Sequence, residues 1–541
     1  VELLDLRRIA ALAAAMLFLP VPSGAQAERH AYTIAHVLRY ATSDDISSLN
    51  PHLTQQGTVF YLASLTMAWL VKYDAHNRPV PELATAVPSQ ANGGVSRDGK
   101  TITYHLRRGV VWSDGKPFTS ADVAFSVDVV RDPANNELSH AAFDDIARVL
   151  TPDPWTVVFH LREPLAGAYV HFFSSGGANP CVLPKHLFTS TKINESAYNA
   201  LPVGIGPFMY TSWKRGYEVE LAANPSYFRG RPKLDRIIFR IVPDRNTVLT
   251  LLATHELDLW LPVAAGYANR VGALPGIDVL RQPSYIYDHI DMNFTRPALA
   301  DPAVREALRY ATDRATLLEK VRHGFGVLQE GAIAPDHPLF DRSIPLVPFD
   351  LAKANELLDR AGWVRGTDGI RAKNGVRLAF EWASSAGAPD LDVQLELIRQ
   401  WWQQIGVSFE VHRYESSVLF GPPGTGGVLA TGHYDISTFA WYDTPDGDLV
   451  NIYACDRVPP AGSNYERFCD PALDGTFTVF GRTYDPARRR ALASAIQRRM
   501  VKDVTTIVLD VRQDIYAYNS DLKNFHPNQI TPFDSMLDVD I

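Results

Sequence analysis

Asp98-Gly99-Lys100-Thr101-Ile102-Thr103-Tyr104-His105-Leu106-Arg107-Arg108-Gly109-Val110-Val111-Trp112-Ser113-Asp114-Gly115-Lys116-Pro117-Phe118-Thr119-Ser120-Ala121-Asp122-Val123 changes its periodicity part-way along. Asp98-Gly99 is a turn signal. Residues 101–106 then alternate polar and apolar with β-branched and aromatic members, as a half-buried strand does. Asp114-Gly115-Lys116-Pro117 is turn chemistry again. It separates strand from a helix over residues 119–130. Strand, turn and helix in succession point to α/β layers.

The same alternation runs outward along the chain. Residues 155–161 and 217–221 read as further half-buried strands. Asp301-Pro302 sets a capping carboxylate before a helix-starting proline, with a run that ends near His323-Gly324. Asp350 opens a helix with Ala354, Leu357, Leu358 and Ala361 on one face, closed by Gly362. Asp485-Pro486 opens another. A helix over 391–405 passes through Gly406 into a strand over 407–412. No internal repeat and no low-complexity tether is present, so ordinary crossing strands must join the domains.

At roughly 150 residues per domain, 541 residues suggest three domains or two large ones. Hydrophobic residues at 46% and charged residues at 21% exclude a disordered or fibrous chain. A formal charge of −8 lacks the basic footprint of a nucleic-acid binder. Residues 1–27 read as a signal peptide: Arg7 and Arg8, an apolar run from Ile9 to Pro20, then Ala25-Gln26-Ala27 as the cleavage site. That apolar run is too short to span about 30 Å of hydrocarbon. No later segment reaches the ~18 apolar residues of a spanning helix, so no direct membrane insertion is expected. Export to the periplasm permits disulfides. Cys455 and Cys469 flank the turn-rich Val458-Pro459-Pro460-Ala461-Gly462-Ser463-Asn464, which can fold back and join them. Cys181 is left over as a buried small hydrophobe.

Catalytic motifs fail one at a time. His255-Glu256 begins like a zinc-protease helix, but Leu259 stands where the second His belongs. Gly109 to Gly115-Lys116 has the wrong spacing for a phosphate loop, and Pro117 follows. There is no G-x-S-x-G elbow and no C-x-x-C. Asp443, Asp446 and Asp448 miss the register of a calcium loop. The sixteen His are scattered with no pair at ligand spacing. No enzyme activity, metal or cofactor is expected.

Several segments, taken in order, resemble the dipeptide- and oligopeptide-binding family of ABC-importer solute-binding proteins, family 5. They are Leu49-Asn50-Pro51-His52, Pro81-Glu82-Leu83-Ala84, the 98–123 stretch quoted above, Val203-Gly204-Ile205-Gly206-Pro207-Phe208, Asn224-Pro225-Ser226-Tyr227-Phe228, and Asp301-Pro302-Ala303-Val304-Arg305-Glu306-Ala307-Leu308. The resemblance covers nearly the whole chain after residue 27. It implies an α/β, two-lobed periplasmic-binding-protein fold with a hinge and an extra subdomain on the first lobe. Mapped here, the first lobe is 28–57, 201–287 and 507–541, the subdomain 58–200, and the second lobe 288–506. The chain then crosses between lobes near 285–293 and 504–512, and paired crossings permit hinge closure.

The resemblance also implies site residues. In dipeptide-binding members a G-W-x-x-D segment before the paired cysteines supplies a carboxylate for the ligand's ammonium. Here Ala440-Trp441-Tyr442-Asp443 corresponds, with Asp443 one position early. Trp441 and Tyr442 accompany it, and the family's cysteine pair corresponds to Cys455 and Cys469. The family's carboxylate-clamping Arg falls on Ser385, which removes a bidentate partner for a free C-terminus. Gln55, in an early loop, falls where family members touch ligand. The function expected is capture of a small organic solute, peptide or peptide-like, by hinge closure, and its delivery to the transmembrane subunits of an ABC permease. The protein is expected to act as a monomer. The alternatives are a non-peptide solute on the same fold (a chelated metal, oligosaccharide, haem or opine-like compound) and a secreted hydrolase.

Overall fold

The structure is a computed structural model that describes residues 29–42, 46–54, 56–136, 141–175, 179–386, 389–421 and 423–541. Residues 1–27, the expected signal peptide, and Gln55 lie outside the described residues.

The quoted stretch folds as its pattern predicts. Thr101–His105 pairs antiparallel with Thr156–Leu161, which in turn pairs with Ile146–Asp153. The helix Ser120–Arg131 starts on a reciprocal cap, in which the Thr119 N–H donates to Asp122 Oδ2 at 2.8 Å. Ile102, Tyr104, Trp112, Phe118, Val123, Val157 and Phe159 share one core.

An eleven-stranded mixed sheet forms the body of the molecule. From one edge its strands are Ser408–Tyr414, Ala379–Ser385, Ile436–Tyr442, Ile277–Met292, Thr506–Asn519, Leu259–Trp260, Val37–Thr42, Arg236–Ile241, Glu218–Ala223 and Phe208–Lys214. Gly326–Val327 pairs with Thr506–Asn519 off this path. The two long central strands, of 16 and 14 residues, run antiparallel through both ends of the sheet. Their register shifts between Pro283 and Tyr287; beyond it their ladder resumes, and pairing with Ile436–Tyr442 begins on the other side of Ile277–Met292. Such a break concentrates twist and bending. One core gathers Leu38, Leu65, Phe208, Leu259 and Phe533 on the first side of this break. Another gathers Ile290, Leu308, Trp382, Trp402 and Leu509 on the second.

The capping carboxylates do what their positions predict. Asp301, Asp350 and Asp485 each accept an N–H from the first turn of the helix that follows. Gly362 closes the second of these at φ +81°, a conformation glycine adopts without strain. The run expected from Asp301 to His323 differs: it is two helices, Pro302–Tyr310 and Arg314–Lys320. Asp313 caps the second, its carboxylate accepting the Thr316 N–H at 3.0 Å. An Asp that satisfies a helix start competes with continuation of the preceding helix. Among the described residues no helix is long and apolar enough to cross a membrane.

Candidate ligand-binding cleft

The strand Ile436–Tyr442 runs out between the two sides of the sheet, and three of the expected site residues sit at its end. Side chains alternate along it, so Trp441 and Asp443 point one way and Tyr442 the other. Trp441 lies opposite Tyr287 and stacks on Tyr465 with ring centroids 5.7 Å apart. Phe439 meets it edge-on at 5.3 Å. The Trp441 indole N–H has no partner.

Tyr442 is 46% exposed, unusual for so large a ring, and its hydroxyl donates to the Gln529 carbonyl at 3.1 Å. That bond joins the strand end to the C-terminal segment across the cleft. Ser385 closes the neighbouring strand, level with Tyr414 and half-buried. The structure therefore brings Asp443, Trp441, Tyr442 and Ser385 to the ends of adjacent strands.

Asp443 is sealed, with 1% exposure. Its Oδ2 accepts the Ala334 N–H at 2.8 Å, and its own N–H donates to the Tyr285 carbonyl at 2.8 Å. Its Oδ1 is buried with no partner. Burial drives this carboxyl well above the usual carboxylate range, Asp446 adds to the rise, and the N–H groups of Ala334 and Thr444 oppose it. None of these influences is a cation.

The other face of the strand end carries residues the sequence reading did not select. Tyr442 shares its surroundings with Tyr61, Tyr285 and Asp514. Asp514 lies opposite Gln282 on the central strand pair. Gln282 donates to the Tyr516 hydroxyl at 3.0 Å. Burial pushes the Asp514 carboxyl up to about 6, against the pull of Ser284, Arg512 and Tyr516. Position on a crossing strand was the only available signal for these residues.

Cys455 and Cys469 are bonded, with Cα atoms 4.5 Å apart, and Cys181 is free and buried. The bond closes the 455–469 loop, which carries Tyr465, the ring stacked on Trp441. A separate cavity of about 460 Å³ lies away from these strands, lined by Lys72, Glu82, Arg229 and Asp534. Its charges are already engaged: Lys72 donates to the Asp534 carbonyl at 3.1 Å, Arg229 to the Pro81 carbonyl at 2.6 Å, and Glu82 accepts the Trp69 N–H at 2.9 Å.

The sheet is continuous, with a separate core on each side of the irregularity in its central strand pair. The chain belongs to the bacterial extracellular solute-binding proteins, family 5, whose profile matches residues 78–458. It is similar to protein XP55 of Streptomyces lividans, 29% identical over 426 residues, covering 78% of this chain and 74% of that one. It is also similar to the glutathione-binding protein GsiB of Escherichia coli K12, 27% identical over 80% of this chain and 81% of that one. The oligopeptide-binding protein AppA of Bacillus subtilis, solved in complex with a nonapeptide, superposes with a TM-score of 0.77. That match has 20% identity and covers 93% of this chain and 98% of AppA. The fold is thus the two-lobed α/β periplasmic-binding-protein fold, and GsiB and AppA are binding proteins.

Proposed function

We propose that the chain captures a peptide-like solute through its ammonium group and delivers it to the transmembrane subunits of an ABC permease. The observation that carries this reading is Asp443, a carboxylate removed from water with one oxygen unpartnered and no cation acting on it. A buried charge is tolerated when paired, and otherwise neutralises. A ligand ammonium supplies the missing partner. Trp441 walls the site with an aromatic face and a free N–H. Tyr442 and Ser385 stand at the ends of the adjoining strands.

Ser385 leaves a free C-terminal carboxylate without a guanidinium, which favours a ligand anchored at its amine end. The protein works as a periplasmic monomer released after Ala27, with lobes divided as 28–57, 201–287 and 507–541 against 288–506, and the subdomain 58–200 on the first. Closure bends the strand pair at the Pro283–Tyr287 irregularity. It brings Tyr442 to the Gln529 carbonyl. Binding breaks no bond in the ligand.

Calorimetry against a panel of two- to five-residue peptides, each with free and N-acetylated termini, tests this. Tight binding of free-amine peptides and loss on acetylation is expected. Equal binding of both forms would overturn it.

A further inference from the structure

The two halves meet a second time, away from the strand ends. Residues 166–171 of the subdomain lie against residues 446–448 and 480–489 of the second lobe. The Ala166 N–H donates to the Gly481 carbonyl at 2.7 Å, and the Tyr484 hydroxyl donates to the Gly99 carbonyl at 3.2 Å. The Asp446 carboxylate sits directly on Gly167, where a Cβ would stand 2.1 Å from Oδ2. Only glycine admits this approach.

His171 faces the same carboxylate, with Nε2 3.5 Å from Asp446 Oδ2. Arg489 donates to that oxygen at 3.3 Å and to the Asp446 carbonyl at 3.1 Å. The His171 imidazole and the carboxylates of Asp446 and Asp448 all come within 4.8 Å of one another. Arg489 is fixed inside its own lobe by the Phe480 carbonyl at 3.0 Å and by the Phe480 ring at 3.8 Å. When the lobes part, Asp446 keeps Arg489, and His171 is the group that leaves.

We propose that His171 is a protonation-controlled latch that holds the lobes closed against Asp446 and Asp448. The proposal rests on the hinge-closure reading given above. Burial lowers the His171 pKa, but Asp446 and then Asp448 outweigh it against the opposing Arg489, and the net shift is upward. Asp145 faces His171 from its own lobe. His337, near Asp446, is pushed down to about 4 by burial and stays neutral across the window. Opening returns His171 to water, where its pKa falls back toward about 6.5. The closed form therefore binds the proton more tightly. Its advantage is complete below the open-form value and is lost as pH rises through the closed-form value. Burial and Asp446 also raise the Asp448 carboxyl, which pushes closure the same way, so the imidazole itself must be varied.

The test uses the full chain without ligand and with EDTA. Spin labels go at Glu195→Cys and Val364→Cys, both exposed and on opposite lobes. Double electron–electron resonance reads the closed-to-open ratio at pH 6 and pH 8.5. We expect about a fivefold rise in that ratio at pH 6, or about 1 kcal/mol at 1.4 kcal/mol per tenfold. His171→Gln removes most of it. Two distances whose ratio ignores pH, or follows it equally in His171→Gln, would overturn the latch and leave the hinge standing. A single distance at every pH, unmoved by saturating peptide, would overturn the hinge itself. A ratio that ignores pH but tracks Zn²⁺ added to samples free of EDTA would overturn the latch in favour of a metal ion.

Discussion

Asp443→Asn isolates the charge on which the proposed site depends. In the unliganded protein the carboxylate has one bond, from the Ala334 N–H, and one empty oxygen. Asparagine keeps the size and the accepting oxygen, so the fold is expected to survive. Bound ligand is another matter. An ammonium buried against a neutral amide loses its charge partner, and truncating one side of such a pair costs about 2–5 kcal/mol. At about 1.4 kcal/mol per tenfold, affinity falls roughly 30-fold or more. Ser385→Ala is expected to cost about 1 kcal/mol or less, because a neutral hydroxyl makes a weaker bond. Calorimetry with the tightest peptide from the panel reads both variants. The same peptide with an acetylated amine completes a cycle: acetylation should hurt the wild type strongly and Asp443→Asn little. Equal losses in both proteins would show that amine and carboxylate do not meet, and the reasoning would fail there.

Because burial holds the Asp443 carboxyl high and an ammonium would lower it, binding of an amine should release a proton. Affinity should then rise with pH, and calorimetric enthalpies should depend on buffer ionisation; no such dependence would count against the pairing. Asp514 presents the opposite sign for stability. Its folded value of about 6 lies above its ordinary one, so its charge destabilises the fold above that pH and the cost fades as pH falls toward 4. Asp514→Asn should stabilise the unliganded protein at pH 8 by up to about 3 kcal/mol in denaturant titrations, and should gain nothing at pH 4. The Cys455–Cys469 bond closes a loop of sequence separation 14 and contributes about 3 kcal/mol through chain entropy. Non-reducing peptide mapping should find that pair linked and Cys181 free; three free thiols would contradict it. Small-angle scattering should show a smaller radius of gyration at saturating peptide, and an unchanged curve would argue against closure.

Local order was readable because it is set by neighbours in the chain. The alternation at 101–106 and 155–161 identified two strands that pair with each other. Asp301, Asp350 and Asp485 marked helix starts for the same reason. The break at Ala311–Asp313 is also local, but the capping power of Asp313 competes with an apolar pattern that runs through it, and periodicity alone favours one long helix. The proposed site was legible only in part. Asp443 and Trp441 could be placed by their motif, but not what surrounds them: the N–H on Asp443 comes from Ala334, 109 residues earlier. Asp514, Tyr61 and Tyr516 belong to no motif and gather near Tyr442 only through the crossing of the long strands. Likewise no motif joins His171 to Asp446, because their meeting depends on how residues 166–171 lie against residues 446–489.

Native mass spectrometry of the protein purified from its own host, with the released ligand fragmented and identified, tests the central claim most directly. The account predicts a bound, peptide-like molecule with a free amine, lost from Asp443→Asn protein prepared in parallel. A retained ligand without any basic nitrogen, a sugar for example, held equally by wild type and Asp443→Asn, would contradict it.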